Sequence, residues 1–363
     1  MISDRLLSIV RCPDCRGTLA ADPEAPPGST GLICRACRRR YPARDGAFLD
    51  LRASASFAET TKYLDEALHA DARHETVSPP LLSAAIRNDM LRTFLAPIAA
   101  DRVVDLGCGS GRALIWNQDV GAYQVGVDVS PHFAREARAG VDLVVGDLRR
   151  LPLADGAFTK AFSLDVAEHL SRESLVEMLS EAGRVLVPGG ALFLYTHARE
   201  NSSLALGLRA INRLAQSLDR LGLIALSQEH LRKSDHLNLL ADIADFRRVA
   251  AGAEFRVARI RYYTPLVGAV VENIFVRLAE GVLARRAARR FASSGSPGDA
   301  ELLRAARLEA KQRIGRRGPA YAALRALTWL MKLDVLLFGR IRSGPFFALL
   351  IHERPMTNGS SAP

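Results

Sequence analysis

The chain has 363 residues, with 49 Lys plus Arg against 39 Asp plus Glu, a formal net charge of +10. Hydrophobic residues make up 48% and charged residues 24%, which excludes an intrinsically disordered chain and predicts one large domain with appendages, or two domains. No uncharged apolar run reaches the ~18–20 residues that span a bilayer, and the opening M-I-S-D-R lacks the apolar stretch of a secretory leader, so a cytoplasmic chain is expected.

The first element in chain order is a cysteine pattern. Cys12-x2-Cys15 and Cys34-x2-Cys37 are separated by 18 residues. Two C-x-x-C pairs at this spacing predict four thiolates turned toward one zinc ion. A reducing compartment disfavours disulfides. The insert, with Pro23, Pro26, Pro27 and Gly28, reads as a loop between two knuckles. So small a module builds little core, so the metal would supply its folding energy. Residues 1–52, which include R-R-R-Y-P-A-R-D-G-A-F-L-D-L, resemble the zinc-ribbon modules found fused ahead of methyltransferase domains. These modules are similar to the small activator subunits of tRNA methyltransferases. Residues 53–84 are expected to be a helical linker.

Next comes V-V-D-L-G-C-G-S-G at 103–111, a β-branched run entering a glycine-rich turn. Such a turn lets the backbone approach a ligand. About 20 residues further on, Q-V-G-V-D-V-S ends a second strand at Asp128, placed to accept ribose hydroxyls. V-D-L-V-V-G-D-L ends at Asp147, and F-T-K-A-F-S-L-D ends at Asp165. V-L-V-P-G-G-A-L-F-L-Y-T supplies a turn and a fifth strand.

These five motifs, over residues 85–260, resemble the class I S-adenosylmethionine-dependent methyltransferases with a D-x-G-x-G-x-G loop. The resemblance implies an α/β, Rossmann-like seven-stranded sheet whose last strand lies antiparallel between the fifth and sixth. It implies that Asp105, Gly107, Cys108, Gly109 and Gly111 cradle the methionine part of S-adenosyl-L-methionine. It places Asp128 on the ribose, Asp147 and Leu148 on the adenine, and Asp165 at the cofactor edge. The vicinal hydroxyls and exocyclic amine of a nucleoside are donors, which suits carboxylates at strand ends. A dinucleotide dehydrogenase fits less well, because Arg112 stands where its helix-packing glycine would be.

F-R-V-A-R-I-R-Y near 255–262 reads as strand six and G-P-F-F-A-L-L-I-H-E-R-P near 344–355 as strand seven. The core is therefore expected over 85–262 and 344–355, with a lid insertion at 198–240, a helical insertion at 263–343 and a tail at 356–363. Both insertions leave from the ends of strands where open α/β sheets bind substrate. From Arg256 to Arg342 there are 18 basic and 6 acidic residues, which is more than the whole excess charge of the chain. Apolar residues recur there at helical spacing, beside arginines. They are read as a lid packed on the domain, or as a lid that also touches an anionic membrane surface. Nucleic acid ranks below both, since base-stacking aromatics are few.

Methyl transfer needs an aligned nucleophile and, for a hydroxyl acceptor, a proton acceptor. His169 in D-V-A-E-H-L, His197 after strand five and His236 are the candidates. Asp165, Glu168, His169, Asp235 and His236 are also similar to the divalent-metal set of some O-methyltransferases, with Asp165 departing from their Glu. V-x-E-H-L is common in the family without metal, so this reading ranks low. The leading expectation is methyl transfer to a small, amphiphilic or lipid-linked acceptor. An RNA methyltransferase using the ribbon and basic segment is the alternative. A non-catalytic binder with a vestigial cofactor site comes third.

Overall fold

The computed structural model describes residues 3–25, 31–41, 43–44, 47–52, 77–224, 240–279, 281–282 and 318–353. Most of the expected linker, residues 225–239 of the lid insertion, residues 283–317 of the basic helical insertion and the tail lie outside the described residues.

The N-terminal module opens with helix α1 (Asp4–Ile9), capped by the Ser3 hydroxyl, which accepts the Leu6 amide at 3.0 Å. Strands β1 (Leu19–Ala21), β2 (Leu32–Cys34) and β3 (Arg40–Tyr41) form its small antiparallel sheet. Strands β4 (Ala43–Arg44) and β5 (Phe48–Asp50) leave that sheet and join the central one.

The central sheet holds β6 (Arg102–Leu106), β7 (Tyr123–Asp128), β8 (Asp142–Val145), β9 (Phe158–Leu164), β10 (Leu186–His197), β11 (Phe255–Tyr262) and β12 (Pro345–His352). Among the described residues its order is β11-β12-β10-β9-β6-β7-β8-β5-β4. β6 to β10 pair in parallel, and β12 runs antiparallel between β10 and β11. This is the expected seven-stranded arrangement. The addition is that β5 pairs in parallel with β8, so the first module extends the sheet by two strands.

The parallel strands read as apolar runs because both faces are covered. Helices α2 (Ser83–Leu95), α3 (Arg112–Trp116) and α4 (Arg135–Gly140) contribute buried residues to the same cluster as β6 and β8. Helix α5 (Arg172–Val185) starts at Ser171, whose hydroxyl accepts the Ser174 amide at 3.1 Å, and buries Leu175, Met178, Leu179 and Ala182 at helical spacing. Helix α6 (Ala205–Arg220) follows β10, and α7 (Ile243–Gly252) precedes β11. Beyond β11, α8 (Leu266–Val270) continues into a π-helical turn (Val271–Val276), and α9 (Pro319–Phe338) leads into β12.

One apolar cluster runs through both modules. Leu6, Val10, Cys12, Leu32 and Tyr41 pack in the same core as Val104, Val125, Val144 and Leu153. Around it, the Ser3 hydroxyl bonds Asp142, Tyr123 donates to Asp142 at 2.8 Å, and Arg16 pairs with Glu181 at 2.8 Å.

Candidate active site and metal centre

The four cysteines converge. Their sulfurs all lie within 4.8 Å of one another, with Cys12–Cys37 at 3.6 Å and Cys15–Cys34 at 3.5 Å. Tetrahedral Zn²⁺ with bonds of ~2.3 Å sets sulfurs just under about 4 Å apart, so the cluster fits the ion. The two knuckles are built alike. The Arg16 and Arg38 amides donate back to the Cys12 and Cys34 carbonyls at 2.7 and 3.0 Å, and both arginines take left-handed backbone, with φ of 60° and 61°. The buried Tyr41 hydroxyl sits 3.0 Å from the Cys12 sulfur, a donor suited to orienting a thiolate ligand. Tyr41 was not singled out in the sequence, because a tyrosine four residues past a knuckle carries no special signal.

The glycine loop joins β6 to α3 across the ends of the strands. Gly107 has φ +84° and Gly109 has φ +52°, the left-handed region that disfavours side chains. They differ in surroundings. A Cβ on Gly107 would collide with Val166, whereas a Cβ on Gly109 would meet no atom within 4 Å. Gly109 therefore borders an open cradle. Gly111 starts α3.

Asp128 organises this loop. Its Oδ2 accepts the Gly109 amide at 2.7 Å, and its Oδ1 accepts the Ser130 amide at 2.9 Å. Asp105 is buried beneath, where burial, then the nearby Asp128 charge, push its carboxyl well above the ordinary value. Burial likewise raises the Cys108 thiol. Asp147 lies two residues beyond β8, accepts the Arg149 amide at 2.9 Å and pairs with the Arg149 guanidinium at 3.0 Å. Leu148 is buried in the turn that follows. Acceptor groups at three strand ends beside an open glycine cradle fit S-adenosylmethionine.

Beside the cradle lies a second group. Asp165 has φ +57°, unusual for a non-glycine residue, and pairs with Arg87 of α2 at 2.9 Å. Desolvation raises the Asp165 carboxyl against the pull of Arg87. Arg87 also stands 5.4 Å above the Tyr195 ring. Glu168 is buried; its Oε1 lies 3.6 Å from His197 Nδ1, and its Oε2 lies 3.4 Å from the Thr196 hydroxyl. Burial pushes Glu168 up, but His197, the local backbone and His169 outweigh it and hold the carboxyl below its ordinary value.

Three of the predicted residues, Asp165, His169 and His197, thus gather around Glu168. His236, with Asp235, lies outside the described residues. Among the described residues the one group arranged to hold a metal is the cysteine cluster. Arg87 is a site residue that sequence reading missed, because A-A-I-R-N-D-M reads as an ordinary helix. Tyr263 is another. Its ring is buried against Tyr195 and Phe347, and its hydroxyl has no hydrogen-bond partner among the described residues.

Comparisons with known proteins point to a methyltransferase and a zinc ribbon as well. The family described as "Methyltransferase domain" matches residues 104–194, and "Trm112p-like protein" matches residues 3–46. The "Probable tRNA methyltransferase 9B" of Bos taurus is 34% identical over 103 residues, 28% of this chain and 22% of that protein. The "tRNA U34 carboxymethyltransferase" of Saccharophagus degradans is 34% identical over 118 residues, 30% and 36% of the two chains. The "Ubiquinone biosynthesis O-methyltransferase" of Azorhizobium caulinodans is 30% identical over 142 residues, 36% and 55% of the two. The chain thus spans between about a fifth and just over half of these relatives' own lengths.

Proposed function

We propose that this chain, which carries a methyltransferase domain behind a Trm112p-like zinc ribbon, transfers methyl groups from S-adenosylmethionine to RNA, with tRNA as the acceptor class. The observation that carries the reading is the ribbon. It is joined to the catalytic sheet through β5 and β8 and shares its core. Relatives with tRNA methyltransferase names support the same reading. This reverses the order reached from sequence alone, where the arginine-rich insertion favoured a lipid-linked acceptor.

The glycine loop at Gly107, Gly109 and Gly111 would hold the methionine part of the donor, Asp128 would accept from its ribose hydroxyls, Asp147 would accept from its adenine amine, and Leu148 would border the ring. S-adenosylmethionine supplies an electrophilic sulfonium methyl. The protein aligns the acceptor and handles its proton. Glu168 faces His197 Nδ1, which leaves Nε2 to face the acceptor and take its proton. His169 lies beside the same carboxylate and orients the acceptor. The Arg87–Asp165 pair stands beside this group.

A second reading, an amphiphilic small acceptor, is favoured by the apolar outer face of α9, where Trp329 and Leu336 are 67% and 70% exposed. Incubation with labelled donor and separated RNA and lipid fractions tests the two. Label confined to nuclease-sensitive material supports RNA; label confined to solvent-extractable material rejects it.

A further inference from the structure

Helix α9 has two unlike faces. Thr328, Met331, Asp334 and Val335 are buried on one. Asp334 is fully buried and accepts the Val267 and Gly268 amides at 2.9 and 2.7 Å. These bonds lock the rotation of the helix, because turning it would strand a buried carboxylate. The opposite face is therefore held outward. It carries Trp329, Leu330, Leu333, Leu336 and Leu337, all exposed. At ~100° per residue these five side chains span an arc of about 120°. A contiguous apolar face of this kind on a water-soluble body marks a binding surface.

The charge that the helix itself carries around the face is one-sided, and the acid beside it, Asp89 of α2, is paired with Lys332. Arg325 and Lys332 flank it, and Arg340 and Arg342 follow the helix end. Asp334, the one acid between residues 318 and 342, is buried on the inner face. Lys332 lies 5.3 Å from the Trp329 ring and 2.7 Å from Asp89. The pattern is an apolar strip with a tryptophan, edged by cations with long apolar stems. Such cations place their charge at phosphate level while the strip enters the acyl boundary. No helix among the described residues is long and apolar enough to cross a membrane, so the contact would be interfacial.

We infer that the outer face of α9 docks the protein on an anionic phospholipid surface. The inference does not depend on the acceptor class; it concerns where the enzyme sits. Apolar burial supplies the holding energy, and the flanking cations select anionic headgroups.

The test is co-sedimentation of the full chain with vesicles of phosphatidylcholine alone, or mixed with phosphatidylglycerol. Binding to the anionic vesicles, weakened by salt, is expected. The double variant Leu336→Glu, Leu337→Glu should bind about tenfold more weakly or worse. Both side chains are exposed, so its melting temperature and S-adenosylmethionine affinity should match the parent. Vesicle binding that the double variant leaves unchanged overturns the inference. Failure to bind vesicles, with self-association lost in the variant, reassigns the face to a second copy of the chain. Failure to bind vesicles, with RNA binding lost in the variant, reassigns it to RNA.

Discussion

The Leu51 amide of the N-terminal module donates to the Val145 carbonyl of β8 at 2.8 Å. This bond continues the ladder that pairs Leu49 with Val144 and Asp50 with Val145. The ribbon is thereby an edge of the catalytic sheet, next to the strand that leads to Asp147. Its folding is therefore expected to bear on the order of the segment that carries Asp147.

Zinc removal should therefore reach the catalytic domain. Chelation, or Cys15→Ser, is expected to lower the melting temperature of the whole chain and weaken S-adenosylmethionine binding in parallel. Calorimetry with a cofactor titration measures both. A catalytic domain that melts and binds as before, with the ribbon unfolded, would contradict the coupling.

The two loop glycines should fail differently. Gly107→Ala places a Cβ against Val166 at φ +84°, and is expected to cost about 1 kcal/mol or more of stability. Gly109→Ala puts its Cβ into open space and adds only the backbone strain of φ +52°. Its main effect should be cofactor affinity, because the methyl fills the cradle. Denaturation midpoints and binding isotherms separate the two. Unchanged affinity in Gly109→Ala would remove that loop from the cofactor site.

His197→Ala should reduce turnover by about 100-fold while S-adenosylmethionine affinity holds. Glu168→Gln should reduce it less, because the neutral amide still orients the ring but no longer favours its charged form. Turnover near the parent level in His197→Ala would pass the proton-accepting role to His169.

Acid stability should report on Asp245. Arg172 grips this carboxylate through two bonds of 2.7 and 2.9 Å and holds it well below the ordinary carboxyl range. A carboxyl lowered in the folded state contributes stability above its unfolded pKa and loses it as pH falls through the folded pKa. That loss comes only at strongly acid pH in the parent. Arg172→Ala should move acid unfolding to higher pH, as followed by circular dichroism. An unmoved acid limb would show that the pair contributes nothing.

Much of the sheet is legible in the sequence. The β-branched runs leading to Asp105, Asp128, Asp147 and Asp165 read as strands between turns, and the resemblance to class I methyltransferases implied their parallel order. The cysteine spacing fixes the ribbon, since four thiolates at one point leave few alternatives. The fusion of ribbon and sheet is not legible, because F-L-D is too short to announce a partner strand. Arg87 and Tyr263 are hidden for a different reason. Their proximity to Asp165 and Tyr195 is tertiary, with long sequence separation and no local signature. Net charge pointed to the insertion, but the decisive feature of α9 is which face Asp334 pins inward, and only packing reveals that.

The central claim is methyl transfer to RNA, and nucleoside analysis tests it most directly. The purified full chain would be incubated with labelled S-adenosylmethionine and unmodified bulk tRNA, and the RNA then digested to nucleosides. One labelled modified nucleoside, absent with Asp128→Ala, is the predicted result. Unlabelled tRNA, together with label transferred to an extracted lipid fraction by the same preparation, would contradict it.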